Sequence, residues 1–246
     1  MKIGIIGAGH IGGTIARKLV AAGHSVKLAG SSGPDAIRGK AETIGAQPVT
    51  SEEAVMGVEV IVLSIPFASI PEVAKLFADV PEDVVLIDTS NYYPQFGTRI
   101  PEVDEGKPES VWSSEQLGRP LVKAFNATLA KTLAEGGKPA GATGRLAMPV
   151  AGDDPHPKAI AQRLVDAAGF DAVDAGDLAG SWRQQPGTPG YCTELTADKL
   201  TVALAAAAKE HAPHNRDALM EEFMNAKTPP SHETIISRNR EVSATR

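Results

Sequence analysis

Short apolar runs recur along this chain, and between them the apolar positions fall at helical spacing. Ile3, Ile5 and Ile6 form the first run. They predict a strand that breaks into the turn Gly7-x-Gly9-x-x-Gly12 and continues as a helix with Ile11, Ile15 and Leu19 on one face. Ser25–Ala29 reads as the next strand, followed by a helix over Pro34–Ile44, a short strand at Gln47–Val49 and a helix that Ser51 is placed to cap. Residues 59–64, 84–88, 121–125 and 146–150 are nearly continuous apolar runs, as in strands covered on both faces. A helix over 155–168, stopped by Gly169, leads to a last strand at Asp171–Asp174.

This alternation predicts an α/β fold: a Rossmann-type, doubly wound, mainly parallel sheet with a small C-terminal helical region. Residues 1–176 form the nucleotide-binding domain in this reading, and 177–246 the helical region and tail. Residues 177–191 read as loop, because the prolines and glycines of Gln-Gln-Pro-Gly-Thr-Pro-Gly defeat regular structure. Helices are expected over 195–209 and 216–226. Pro229 and Pro230 then send the tail off as an extended arm with a short mixed segment behind it.

The glycine turn brings in chemistry. A strand that ends there aims the free N–H groups and the dipole of the next helix at an anion, and a dinucleotide pyrophosphate is the natural one. Gly7 permits the tight turn, Gly9 lets the backbone approach the phosphates, and Gly12 or Gly13 lets the helix pack closely. An NAD-binding unit carries an acid about 20 residues past the glycines to hold the ribose 2′-hydroxyl. Here that place reads Leu28-Ala-Gly-Ser31-Ser32-Gly-Pro34, with no carboxylate. Ser31 and Ser32 ahead of Pro34 suit a 2′-phosphate, so NADP(H) is the expected cofactor; Arg38 and Lys40 add positive charge, against which Asp35 works.

Open parallel sheets bind ligands beyond the carboxyl ends of their strands. Ser64-Ile65-Pro66-Phe67 leaves one such end, with Phe67 expected to offer a flat apolar surface near the nicotinamide ribose. Asn91 with Tyr92 and Tyr93 leaves the next, Asn126 the one after, and Asp153 and Asp154 follow the run at 146–150. Asn91 and Asn126 can donate and accept hydrogen bonds to a ribose or a carboxamide, whereas the two aspartates are expected to start a helix. No Ser-His-Asp or Cys-His set can be assembled at this edge, and no catalytic residue is assigned. That suits hydride transfer, in which the nicotinamide supplies the chemistry.

Composition narrows the picture. The 246 residues carry 24 Lys and Arg against 30 Asp and Glu, a net charge of −6, without a basic block for nucleic acid. The histidines are scattered and Cys192 is alone, so neither a metal site nor an internal disulfide is expected. With no leader or apolar segment of membrane length, no membrane association and a cytoplasmic location are expected.

Taken together, Gly-Ala-Gly-x-Ile-Gly-Gly, Ser64-Ile-Pro-Phe67, Asp88-Thr-Ser-Asn-Tyr-Tyr93, Lys123-Ala-Phe-Asn126, Pro149-Val-Ala-Gly-Asp-Asp154 and Ser181-Trp-Arg-Gln-Gln-Pro-Gly187 resemble the coenzyme F420-dependent NADP oxidoreductase family, and within it the bacterial NADPH-dependent reductase-like branch. The resemblance spans residues 1 to about 200. It implies hydride exchange between NADP(H) and a small-molecule co-substrate, a deazaflavin (coenzyme F420) or a flavin, in a homodimer whose C-terminal part helps form the cleft. Together with the residue reading it points to cofactor contacts from Gly7, Gly9, His10, Ile11, Gly12, Ser31, Ser32, Arg38, Ser64, Ile65, Pro66, Phe67, Asn91, Ala124 and Asn126. The chain departs from its relatives where Ser32 replaces an Arg, His10 an Asn and Ala127 a hydroxyl residue. Two other readings stay open: reduction of a small carbonyl or imine, with Tyr92, Tyr93 or His10 as proton donor, and a non-catalytic NADP-binding sensor.

Overall fold

The computed structural model describes residues 1–244. Its core is a six-stranded parallel sheet in the order β3-β2-β1-β4-β5-β6, built from β1 (Lys2–Ile6), β2 (Ser25–Ala29), β3 (Gln47–Val49), β4 (Val60–Leu63), β5 (Val85–Asp88) and β6 (Val122–Lys123). Because β1 sits at the centre, the order reverses between β1 and β4. That is the switch point of a doubly wound sheet, where ligands bind. Every residue of β4 and β5 is buried. On one face α1 (His10–Ala21) packs Ile15, Ala16 and Leu19 onto Ile3, Ile5 and Leu28; α2 (Pro34–Ile44) flanks it. The other face holds α3 (Ser51–Ala54), α4 (Ile70–Val73), α5 (Pro101–Asp104) and α6 (Glu109–Leu117), with Phe67, Phe77, Tyr92 and Trp112 in its core.

Local chemistry sets the element ends. Pro34 stands in the first turn of α2, where its missing N–H costs nothing, and Gly45, at φ +76°, ends it. The cap of α3 is Thr50 rather than Ser51: its hydroxyl accepts from the Glu53 N–H, while the Glu53 carboxylate accepts from the Thr50 N–H. This capping box needs Glu three residues after the cap, and only Thr50 satisfies that spacing. Gly4 lies in mid-strand because a Cβ there would meet the Ala54 carbonyl oxygen at 1.9 Å, so α3 is seated directly on β1.

The apolar run at 146–150 does not extend the main sheet. After α7 (Ala130–Glu135), β7 (Ala147–Val150) pairs in parallel with β8 (Asp171–Asp174), across α8 (Pro155–Ala167), as a separate two-stranded sheet. Its link to the main sheet is an antiparallel bridge, Lys123 to Ala151. β6 is only two residues long, since Phe125, at φ +60°, turns the chain aside. The C-terminal end of β7 therefore points the opposite way, and Asp153 and Asp154 share a cavity with Glu82, Pro120 and Leu121 at the amino edge. Asp153 accepts from the Leu178 N–H and Asp154 caps α8 through the His156 N–H.

The C-terminal region is more regular than its sequence suggests. A 3-10 turn, Ala179–Gln184, precedes the Pro-Gly run; α9 (Ala197–Ala205) packs Leu200 and Leu204 on Val173, and α10 (Ala212–Asn225) follows. Beyond Pro229 and Pro230 the expected short mixed segment is instead α11 (His232–Ser243), capped by the Ser231 hydroxyl. Its apolar positions are too few to show a period, and polar contacts hold it. His232 bonds Glu194 at 2.9 Å, and Arg240 donates to the Thr193 carbonyl at 2.7 Å.

Candidate functional site

The site begins at the turn between β1 and α1. Gly7, at φ +112°, donates its N–H to the Ala29 carbonyl, and a Cβ on it would lie 2.0 Å from the Ser64 carbonyl oxygen. A Cβ on Gly12 would lie 2.0 Å from the Gly7 oxygen, so helix, turn and the end of β4 touch backbone to backbone. Gly9 differs: it is exposed, and a Cβ there would meet nothing within 4 Å. It occupies the cap position of α1 without a side-chain cap, and the first turn holds no acidic residue. The amides of that turn are thus open to an outside anion. Lys40, reaching from α2, donates to the carbonyls of Ala8 (2.5 Å) and Gly9 (3.1 Å), fixing the turn and leaving a cation beside it.

Around this turn, His10 is exposed at the start of α1 and Ile11 is half-buried against the core. Ser31 and Ser32 are exposed beyond β2. The next residue, Gly33, at φ +82°, takes the cap position of α2, again without a side-chain cap. Arg38 is paired with Asp35 rather than free. Ser64 and Ile65 are half-buried and Pro66 is exposed.

Three of the residues expected at the cofactor are buried. Phe67 is a core residue: the 3-10 turn Phe67–Ser69 rolls its ring back to stack on Trp112, at 4.9 Å between centroids, and against Tyr92. It is 5% exposed and lines a small cavity beside Pro66. Ala124 is fully buried among the core residues under α1 and α8. Asn126 is 2% exposed, and its side chain is committed within the protein. Its Nδ2 donates to Asn91 Oδ1 (3.0 Å) and to the Gln184 carbonyl (2.9 Å), while its Oδ1 accepts from Gln184 Nε2 (2.9 Å). Asn91, by contrast, is half-buried at the rim of a cavity of about 220 Å³ with Pro66, Tyr93 and Phe96.

Under the edge lies a polar cluster that sequence reasoning missed. Asp88 and Lys123, register partners on β5 and β6, form a fully buried ion pair at 2.8 Å. The second Asp88 oxygen accepts from the Ser90 N–H and hydroxyl, and Lys123 also donates to the Ser90 carbonyl. The available signal was one charge at matching positions in each of two strands otherwise read as buried. Glu109, at the start of α6, is 2% exposed and has one oxygen without a hydrogen-bond partner among the described residues. Burial pushes its carboxyl up to about 7, against the opposing pull of Lys123, the Tyr92 N–H, Arg216 and Gln185.

Glu109 makes stability depend on pH with a definite sign. Between its usual 4.5 and about 7 the folded protein holds a proton that the unfolded chain has released, so stability falls as pH rises through that window and the penalty is constant above it. The shift corresponds to roughly 3 kcal/mol. Glu109→Gln should therefore gain on the wild type at pH 8 and not at pH 5, by urea unfolding at both. A difference independent of pH would contradict the assignment.

The tyrosines next to Asn91 are turned inward. Tyr92 donates to Asp104 and accepts from the Ile100 N–H, and Tyr93 shares a hydrogen bond of 3.0 Å with Tyr191. Burial raises all three phenols above their ordinary value. Neither Tyr92 nor Tyr93 offers a hydroxyl proton at the edge.

Comparison with known proteins agrees with this architecture. The model of the family described as NADP oxidoreductase, coenzyme F420-dependent, matches residues 2–92, from β1 through Tyr92. The Escherichia coli K12 protein YjhV is 40% identical over 105 residues, 43% of this chain and 77% of YjhV. The chain belongs to this NADP oxidoreductase family. Among solved structures, protein SMa0349 of Sinorhizobium meliloti is 29% identical, with a TM-score of 0.64 over 74% of this chain and 87% of that one. A candidate F420-dependent NADP-reductase of Arthrobacter sp. FB24 shares the fold at 23% identity, with a TM-score of 0.59 over the same shares of the two chains. Family membership places the chain among the NADP-linked oxidoreductases. Among the described residues no helix is long and apolar enough to cross a membrane.

Proposed function

We propose that this protein exchanges a hydride between NADP(H) and a ring acceptor of the deazaflavin or flavin type. The observation that carries the cofactor half is Gly9, an uncapped helix start where a side chain would meet only open space, beside two exposed serines and no carboxylate at the end of β2. The residues present fit the dinucleotide. The first-turn amides of α1 hold the pyrophosphate, with Lys40 behind them. Ser31, Ser32 and the open start of α2 hold the 2′-phosphate, while Arg38 is partly neutralised by Asp35. Nicotinamide, when bound, supplies the hydride; the protein orients it and excludes water.

A ring acceptor takes the hydride without needing a proton from a side chain at once. Reduction of a carbonyl or imine needs such a donor, and the inward hydroxyls of Tyr92 and Tyr93 leave only His10, which favours the ring acceptor.

Calorimetric titration with NADPH and NADH tests the cofactor assignment. NADPH is expected to bind about tenfold more tightly or better, a difference of ~1.4 kcal/mol, and Ser31→Ala to shrink that ratio. Equal dissociation constants, untouched by Ser31→Ala, would contradict it.

A further inference from the structure

Beyond the dinucleotide cradle, one exposed-edge amide is held with unusual care, that of Asn91. Its Oδ1 accepts from Asn126 Nδ2, and its Nδ2 donates to the Asn126 carbonyl, each at 3.0 Å. Asn126 is clamped in turn by Gln184, whose Nε2 also donates to the Lys123 carbonyl at 3.3 Å. Gln184 is completely buried and comes from the 3-10 turn beyond the parallel sheet. Both atoms of the Asn91 amide are therefore pinned from behind by Asn126, which Gln184, on a third segment, holds in turn. A carboxamide nitrogen carries two protons and its oxygen two lone pairs. One N–H and one lone pair of Asn91 have no partner among the described residues, and Asn91 lines the cavity of about 220 Å³.

The cavity's walls define what it takes. Pro66 and Ala68 come from the loop after β4; Tyr93, Phe96 and Gly97 come from the loop after β5. Phe96 is 66% exposed and its ring is tilted against Tyr93 at 5.9 Å, an apolar surface held open at the mouth. Among the described residues no charged side chain lines the space. Its volume equals roughly seven waters, below the range for whole drug-sized ligands. One fused-ring system fits there, and a dinucleotide does not.

We infer that the Pro66–Thr98 cavity is the subsite for the acceptor ring, that Asn91 binds a carbonyl or ring nitrogen of that ring with its free N–H, and that Gln184 is the positioning residue that holds Asn91, through Asn126, in the required orientation. This rests on the reading of the edge as a hydride-transfer site and moves Asn91 from cofactor to acceptor. A pinned amide loses little freedom on binding, which is why the support behind Asn91 matters. The arrangement also explains why the turn at 179–184 is part of the site although it lies outside the sheet.

The test uses lumichrome, a free tricyclic ring, titrated by fluorescence quenching into the full-length protein saturated with NADP⁺, alongside the dissociation constant of NADP⁺ itself. Asn91→Ala should weaken lumichrome tenfold or more and leave NADP⁺ within twofold. Gln184→Met keeps the length of the side chain and removes a buried Oε1 that has no partner among the described residues. Because it also takes the Nε2 donor from Asn126 Oδ1 and from the Lys123 carbonyl, its melting temperature should fall by a few degrees with the fold kept, and it should weaken lumichrome severalfold, again sparing NADP⁺. Unchanged lumichrome affinity in Asn91→Ala, equal losses for both ligands, or a wild type that binds NADP⁺ but no lumichrome would each overturn the inference. If Gln184→Met melts early, Asn91→Ala alone decides whether the cavity is the ring subsite; unchanged lumichrome binding in a folded Gln184→Met would remove Gln184 from the assignment. A wild type that binds lumichrome but no NADP⁺ would instead refute the reading of the glycine turn.

Discussion

Lys123→Met is expected to cost this protein about 3–5 kcal/mol. Both charges of the Lys123–Asp88 pair are fully buried, and removing the ammonium leaves the Asp88 carboxylate, among the described residues, with only the Ser90 N–H and hydroxyl to stabilise it. An uncompensated buried charge is far more expensive than an absent pair. For a chain of this size the loss corresponds to a fall in melting temperature of roughly ten degrees. The variant also removes the positive charge that opposes the burial of Glu109, so the Glu109 carboxyl should move further up. Lys123→Met combined with Asp88→Asn removes both charges and should recover a large part of the loss. Thermal unfolding of the two variants checks this; equal destabilisation in both would show that the charge balance is not what holds this edge.

The second large effect falls on binding rather than stability. Gly9→Asp places a carboxylate at the cap position of α1, where the backbone is already extended (φ −68°, ψ −159°) and a Cβ meets nothing. Asp is among the best capping residues, worth a few tenths of a kcal/mol over Gly, and its charge suits the helix dipole. The fold should therefore be kept or slightly strengthened. The same carboxylate occupies the amides meant for the pyrophosphate and repels it, so the NADPH dissociation constant should rise 100-fold or more, a loss of ~2.7 kcal/mol. Stability and affinity then move in opposite directions, a result that general misfolding cannot imitate. A variant that melts early and loses affinity together would contradict the assignment of the turn as an anion cradle.

The elements legible in the sequence were those whose ends are fixed by local chemistry. Pro34 and Gly45 bracket α2, the glycine turn separates β1 from α1, and β2, β3 and β8 stand where their apolar runs lie. What the chain does over long range was not legible. The run at 146–150 has the pattern of a buried strand, which it is, but pattern does not carry direction. The turn at Phe125 and the single antiparallel bridge at Ala151 decide that β7 leaves the main sheet and carries Asp153 and Asp154 to the opposite edge.

The site divides along the same line. Gly7, Gly9, Gly12, Ser31, Ser32 and Pro66 stand where local reasoning places them, at the turn and the open ends of strands. Phe67 does not, because its partner Trp112 comes from α6, and a ring after Pro66 looks the same in sequence whether it faces solvent or core. Asn126 also belongs to a tertiary network, since its environment is made by Gln184, 58 residues further along the chain. α11 escaped notice because polar contacts to Thr193 and Glu194, rather than an apolar stripe, dock it.

We propose that NADPH bound at this edge gives its hydride to a ring acceptor. The direct measurement is NADPH consumption by the purified protein with coenzyme F420, flavin mononucleotide and a panel of small carbonyls and imines, with Gly9→Asp as the control. Saturable NADPH oxidation is expected with a ring acceptor, none with the small carbonyls and imines, and none in Gly9→Asp. NADPH that binds the wild type yet stays unoxidised with every ring acceptor, or turnover that survives Gly9→Asp, would contradict it.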